Sequence, residues 1–276
     1  MKAKTKKQLF TILKQLVALL LCAIVIIPFV IILINSFKTT REAALMGFNL
    51  PSQLMFENYA TVIEKGKLLP SFINSLIYAI VPCTAIVVLC GMASFGLARR
   101  TSKFTKWIYM FIILGLFVPV NYLALLKIMK LLGIYGSRLG LILFYISSNV
   151  AFSTFIIYGF IDSVPREVDE AAVIDGATPL QLFFKVIFPL LKPVLVTAFI
   201  LMFMQIWSDF MTPLYLINKS TMWPMNLAVY NFFGRFKTSW NLVFADIVLT
   251  VLPVLVVYLI GQKQIVSGLT SGAVKG

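Results

Sequence analysis

Six apolar runs, broken by short charged stretches, constrain this chain more than any other feature of its 276 residues. They cover residues 15–37, 68–98, 107–126, 139–161, 193–218 and 241–262, and the first four hold no charged side chain. The fifth holds Asp209 and the sixth Asp246. A helix needs about 20 apolar residues to cross the hydrocarbon of a bilayer, and every run reaches that length. Lipid gives unpaired backbone groups no water to bond, so spanning segments are helices or closed barrels; runs this long select helices. An apolar share of 60%, against about 45–50% in soluble domains, points the same way. The expected fold is an all-α integral membrane protein with six transmembrane helices, forming a single domain over residues 1–276.

Lysines and arginines number 24 and set the net charge at +14. If the N-terminus faces the cytosol, Lys2, Lys4, Lys6, Lys7 and Lys14 lie inside, joined by Arg99, Arg100, Lys103 and Lys106 in the link after the second run. These dense clusters beside helix ends are where the positive-inside rule acts most strongly, so both termini are expected in the cytosol. Anionic lipid accounts for the basic excess, and nucleic acid is not an expected partner. A signal peptide is not expected either, because the first run exceeds the usual core of about 7–15 residues and lacks a small-x-small cleavage site. The three cysteines, Cys22, Cys83 and Cys90, all fall within apolar runs and read as packing residues. Histidine is absent, which removes the commonest metal ligand and general base. No phosphate-binding GxxxxGK[ST] loop occurs. No catalytic residue, metal site or cofactor is therefore expected in this chain, and any ATP-driven work needs another subunit.

Between the fourth and fifth runs lies a polar stretch, residues 162–192. Asp162, Glu167, Asp169, Glu170 and Asp175 lie here, half of the chain's 10 acidic residues. Pro165 suits a first turn and the acids suit a helix N-terminal half, while Gly176 suits a left-handed stop. Thr178 and Pro179 then read as cap and first residue of a second helix running towards Pro189. Val168, Ala171 and Ala172 share one face of the first helix. This helix-turn-helix reads either as a docking surface or as a solvated connector.

At this point the residues carry a resemblance. Glu170, Ala171 and Ala172, followed by Gly176 and Pro189, are similar to the EAA loop in membrane subunits of ATP-binding-cassette importers. Trp207, Ser208, Asp209 and Phe210 with Pro213, Leu252 with Pro253, and the tail 268–276 extend the likeness over nearly the whole chain. It is strongest to the carbohydrate-uptake branch, in particular the smaller permease subunit of the maltose-transporter type. Phe188 and Ser208 depart from the usual Leu and Asn. The resemblance implies a type I importer fold, with 1–276 a transmembrane permease domain and 162–192 its coupling loop. It also implies a second permease subunit, two ATPase subunits that bind the ATP and Mg, an extracytoplasmic solute-binding protein and a sugar substrate. Asp169, Glu170, Ala171, Ala172, Gly176 and Pro189 would couple to the ATPase. Gly268, Leu269, Thr270, Gly272 and Lys275 would reach into the ATPase dimer, although by composition alone this tail is only a flexible C-terminus. The chain would be multi-pass in a bacterial cytoplasmic membrane. The outer segments 38–67 and 218–240 would meet the binding protein, or simply cover helix ends.

A charge at mid-membrane costs about 2.5–3.5 kcal/mol on insertion scales, so Asp209 and Asp246 are expected to face protein or water. Gln205, Trp207 and Asp209 offer the amide, indole and carboxylate that suit a sugar. Equally, Asp209 could bond a neighbouring helix and Trp207 could pack at an interface. Asn121, Tyr122 and Asn149 are further candidates for the path, and Asp246 is given no transport role. A non-sugar solute such as a polyamine or glycerol phosphate is the competing cargo. An ion-driven carrier is less compatible, since it would need an internal repeat and leaves the acidic hairpin unexplained.

Overall fold

The computed structural model describes residues 2–100, 102–234 and 238–273, with side chains described from residue 9 to residue 266. Within them the chain is all-helical, and the β pairing is one bridge between Phe233 and Thr238. Four helices are long and apolar enough to span a bilayer: α1 (Lys2–Ser36), α4 (Leu68–Arg99), α7 (Arg138–Ile161) and α14 (Trp240–Ala273). A fifth is possible if Pro179–Leu190 and Lys192–Ser208, which meet at a 74° bend, count as one span. The third expected span, 107–126, is not one helix. It is divided into α5 (Lys103–Leu114) and α6 (Tyr122–Leu131) by residues 115–121. Pro119 cannot donate a backbone hydrogen bond and disfavours helix at Val118, and Asn121 starts α6 afresh by accepting from Ala124 N at 3.1 Å.

The chain forms two compact units, Met1–Leu68 with Ala228–Val251 and Leu69–Leu227 with Leu252–Gly276. In the first, every described α1 side chain up to Val30 is exposed, as suits a helix bathed in lipid. The segment after α1 is held by polar side chains beside a small apolar cluster in which the Phe37 ring meets Phe56 and Tyr59. Lys38 is buried, and its Nζ donates to Asn35 Oδ1 at 3.0 Å and to Gly47 O at 2.8 Å. Asn58 Nδ2 donates to the carbonyls of Ser36 and Lys38 at 2.8 and 2.9 Å, and Asn241 Nδ2 donates to Asn58 Oδ1 at 2.7 Å. Two helices lie in the segment, α2 (Thr40–Ala43) and α3 (Glu57–Lys65). Thr39 and Glu42 close α2 in a reciprocal capping box. Asp246 is also buried in this unit, and neither carboxylate oxygen finds a hydrogen bond among the described residues.

In the second unit α7 packs against α5 and against α11 (Lys192–Ser208). Small residues let α4 approach α7 closely: Cys90 Sγ lies 3.8 Å from Val150 O, and Ser94 Oγ donates to Thr154 O at 3.4 Å. Cys83 and Cys90 are buried free thiols, whereas Cys22 is exposed. The C-terminal half of α14 lies against α11. Thr197 Oγ1 donates to Gln264 O at 2.8 Å, and a Cβ on Gly261 would stand 2.6 Å from Ile200 Cδ1.

Two expectations follow. Gly261→Val will overpack this contact at a cost of about 1–3 kcal/mol, read as a lower denaturation midpoint in detergent, and Ile200→Ala in the same chain will restore part of it. Hydrogen bonds from Ser52, then from Thr39, hold the Glu42 carboxyl down from 4.5 to about 2. A carboxyl lowered on folding contributes order above its unfolded value and loses it as pH falls towards the folded one. Protection of the Ser52 and Thr39 amides, taken against the intrinsic exchange rate at each pH, will therefore be present at neutral pH and be lost between pH 4.5 and about 2.

Candidate functional site

The polar stretch folds as the hairpin its residues specify. Its first helix, α8 (Glu167–Ile174), begins two residues after Pro165, so that proline precedes the helix instead of occupying its first turn. It ends in a Schellman motif. Gly176, at φ +80°, donates to Val173 O at 3.0 Å, and Ala177 N donates to Ala172 O at 3.0 Å. Thr178 and Gln181 then form a capping box on α9 (Pro179–Gln181). A π-helical turn, Leu182–Ile187, and α10 (Phe188–Leu190) complete the second arm. The π turn is where Pro189 demands it. An α-helix would drive the proline ring into the carbonyl of residue 185, and the wider turn, in which Phe188 N bonds Phe183 O, relieves that clash.

The structure sorts the hairpin residues by direction. Asp169 turns towards α4, where it pairs with Arg99 at 2.5 Å. Ala172 is buried, so it packs on the chain itself, and the face expected from Val168, Ala171 and Ala172 is divided. Glu170, Ala171 and Gly176 point outward, as does Pro189. Beside them lie Val173, 59% exposed, Ile174, 84% exposed, and Leu180, 62% exposed. Sequence reasoning passed over these three, although apolar residues inside a run of acids are themselves a signal of a covered surface. The backbone of α14 continues as helix to Ala273, so Gly268, Leu269, Thr270 and Gly272 are helical in place of a loose tail. Their side chains and all of Lys275 lie outside the described residues.

A second candidate site lies where α11 stops. At Asp209 the backbone turns extended, with ψ 117°, and a short helix, α12 (Met211–Leu216), begins. Asp209 Oδ1 accepts from Thr212 N at 3.1 Å and Oδ2 from Tyr145 OH at 3.2 Å. Asn226, unnoticed in the sequence, donates to Trp207 O and Asp209 O, both at 2.9 Å, and so satisfies carbonyls freed by the break. Next to it opens a cleft of about 480 Å³ lined by Tyr122, Tyr145, Ser148, Asn149, Gln205, Ser208 and Asp209, among others. Four of the six path candidates, Tyr122, Asn149, Gln205 and Asp209, thus come together. The other two do not. Trp207 is buried, stacked on Phe203 at 5.4 Å and edge-on to Phe72 at 5.9 Å, while Asn121 serves as the cap of α6. Hydroxyls, amides and one carboxylate around a cleft suit a polyhydroxylated solute. No cluster of three metal-ligating side chains occurs among the described residues.

Residues 88–270 match the family described as "Binding-protein-dependent transport system inner membrane component". The chain is 32% identical, over 99% of both chains, to a probable starch degradation products transport system permease protein of Thermoanaerobacterium thermosulfurigenes. It is 33% identical to a multiple sugar-binding transport system permease protein of Streptococcus mutans, with 91% of this chain and 92% of that protein covered. The melibiose/raffinose/stachyose import permease protein of Bacillus subtilis is 31% identical over 99% of both. Among solved structures, a chain of a bacterial ABC transporter involved in importing the acidic polysaccharide alginate has the same fold. The TM-score is 0.83 at 20% identity, covering 94% of this chain and 97% of that one.

The two bonds to Asp209 separate its structural duty from its charge. Asp209→Asn keeps Oδ1 as the acceptor for Thr212 N and sets an amide N–H against Tyr145, whose hydroxyl then accepts instead of donating, so stability will stay close to the parent. Asp209→Ala strips both and will cost about 1–2 kcal/mol, read as the difference in denaturation midpoint between the two variants.

Proposed function

The chain belongs to the family of binding-protein-dependent transport system inner membrane components, and from that premise we propose that it is a permease subunit importing a sugar or oligosaccharide. The observation that carries the reading is one unit holding both an exposed hairpin of acidic and apolar side chains and a polar cleft of about 480 Å³ at a helix break. The relatives described above carry names of sugar permeases, and the cleft offers the hydroxyl, amide and ring surfaces a sugar needs.

In this reading the chain is multi-pass in a bacterial cytoplasmic membrane, with the N-terminal lysines, the hairpin and the end of α14 in the cytosol. It pairs with a second permease and two ATPases, which bind ATP and Mg, and it performs no bond chemistry itself. Glu170 engages a basic residue of the ATPase, while Ile174, Val173 and Leu180 fill an apolar groove beside it. A charged pair at such a rim fixes register more than affinity, and the buried apolar contacts supply most of the binding. A binding protein delivers the sugar at the opposite face, against residues 38–67 and 218–240. In the cleft Gln205, Ser148, Ser208 and Asp209 bond hydroxyls, and the rings of Tyr122 and Tyr145 flank the apolar face of the sugar.

Purification of the complex through a tag on this chain, followed by reconstitution with the binding protein, tests the reading. Expected are two copies of an ATPase, a second permease and ATP-dependent uptake of an oligosaccharide that Gln205→Leu slows. A complex without ATPase, or uptake indifferent to ATP, would sink it. Ile174→Asp will weaken ATPase retention by about 30-fold, the loss expected from an interface anchor worth about 2 kcal/mol, with the permease still folded. Ala172→Trp, in contrast, will unfold the hairpin, since Ala172 is 9% exposed.

A further inference from the structure

Both arms of the hairpin are fastened to the same end of α4. Arg99, its last residue, pairs through Nε with Asp169 Oδ2 at 2.5 Å, and its Nη2 donates to Asp169 Oδ1 at 3.2 Å and to Val164 O at 3.1 Å. The two side chains are 14% and 16% exposed, so water and salt screen the pair less than a surface one. The hydrogen bond from Nη2 gives the ion pair a direction as well as a distance. From the other arm, Phe183 of the π turn lies 5.9 Å from Phe95, ring to ring, and a Cβ on Gly91 would touch it at 3.5 Å. One helix surface, Gly91, Phe95 and Arg99, therefore holds the hairpin at two separate points, and the hairpin cannot pivot on the ion pair alone.

The other end of α4 is equally committed. Asn74 Nδ2 donates to the carbonyls of Thr221 and Trp223, each at 3.1 Å, and Tyr78 OH donates to Met222 O at 2.9 Å. Ser75 Oγ accepts from Met225 N at 2.9 Å, and Arg138 Nη2 donates to Asn74 Oδ1 at 2.9 Å. Positions 74 and 99 are separated by about 37 Å of helix at 1.5 Å per residue.

We propose that the Arg99–Asp169 pair is the joint through which movement of the hairpin reaches α4, and that α4 delivers it to the segment 221–225. The inference rests on the importer reading and identifies where the hairpin passes its motion on. It also reassigns Asp169. The carboxylate faces its own chain and positions α8, whereas Glu170 beside it is exposed. Arg99 and Asp169 are positioning residues, and they touch neither sugar nor nucleotide.

The test uses the whole complex in proteoliposomes and reads three quantities: ATPase retained on the permease, hydrolysis with and without sugar-loaded binding protein, and sugar taken up per ATP. Arg99→Gln will keep the ATPases bound but lower uptake per ATP by about ten-fold, the size of a coupling free energy carried by one interaction. Arg99→Lys, which keeps the charge without the fork, will fall between. The exchange Arg99→Asp with Asp169→Arg will restore most of the uptake. Unchanged uptake per ATP in Arg99→Gln would overturn the proposal. So would release of the ATPases, which would make the pair part of the docking surface, or an exchange no better than the single substitution. If the unaltered complex carries no ATPase, the importer reading itself falls, and the joint with it.

Discussion

In lipid a backbone group that leaves a helix has no water to turn to, and the rest of this structure is organised around that debt. Where α1 ends, Asn58, Asn241 and Lys38 take up the carbonyls and bond one another. Where α11 ends, Asn226 takes two carbonyls and Asp209 takes the amide of Thr212. Where α6 begins, Asn121 takes the amide of Ala124. Polar side chains beside helix ends are thus first of all splints for broken helices. The cleft exists because one such splint, Asp209, keeps a helix interrupted beside Tyr145 and Gln205.

This explains what could be read in the sequence and what could not. The apolar runs announced α1, α4, α7 and α14, because hydropathy is summed over many residues and tolerates local exceptions. Gly176, Thr178 and Pro179 announced the hairpin turn because each has one strong backbone preference. The interruption of the run 107–126 escaped notice, since Gly115 and Pro119 are also ordinary in membrane helices, and only the cap at Asn121 decides between a kink and a stop. Side-chain direction was the second blind spot. Trp207 and Asp209 are two residues apart, yet the extended backbone at Asp209 sends one into the core and the other to the cleft. Two residues of continuous helix already turn a side chain by about 200°, so the pair could not share one face, and helix rotation, which spacing does not fix, decides which of them meets the cleft.

The hairpin displays the same division on a smaller scale. Alternate residues of α8 answer to different partners: Asp169 and Ala172 to the chain, Glu170 and Ile174 to whatever covers the exposed side. An acidic motif taken as a block hides this, because neighbouring carboxylates look alike in sequence. Geometry distinguishes a carboxylate that holds the hairpin in place from one offered outward, and the two fail differently when lost. Removing the first leaves a guanidinium without its partner inside the protein. Removing the second changes nothing in this chain and is felt elsewhere.

The π turn at Leu182–Ile187 has a further consequence, for how this chain can change over generations. It accommodates one residue more than a regular turn, so deleting one residue there would yield a straighter helix and, locally, a better hydrogen-bonded one. Yet each residue of helix turns the chain by about 100°. The deletion would swing everything ahead of it around the axis, carrying Phe183 away from Gly91 and Phe95. The length of this turn is therefore a gear tooth. Side chains in it can be exchanged, but the number of residues cannot, and insertions or deletions should be tolerated in the segment 38–67 long before they are tolerated here.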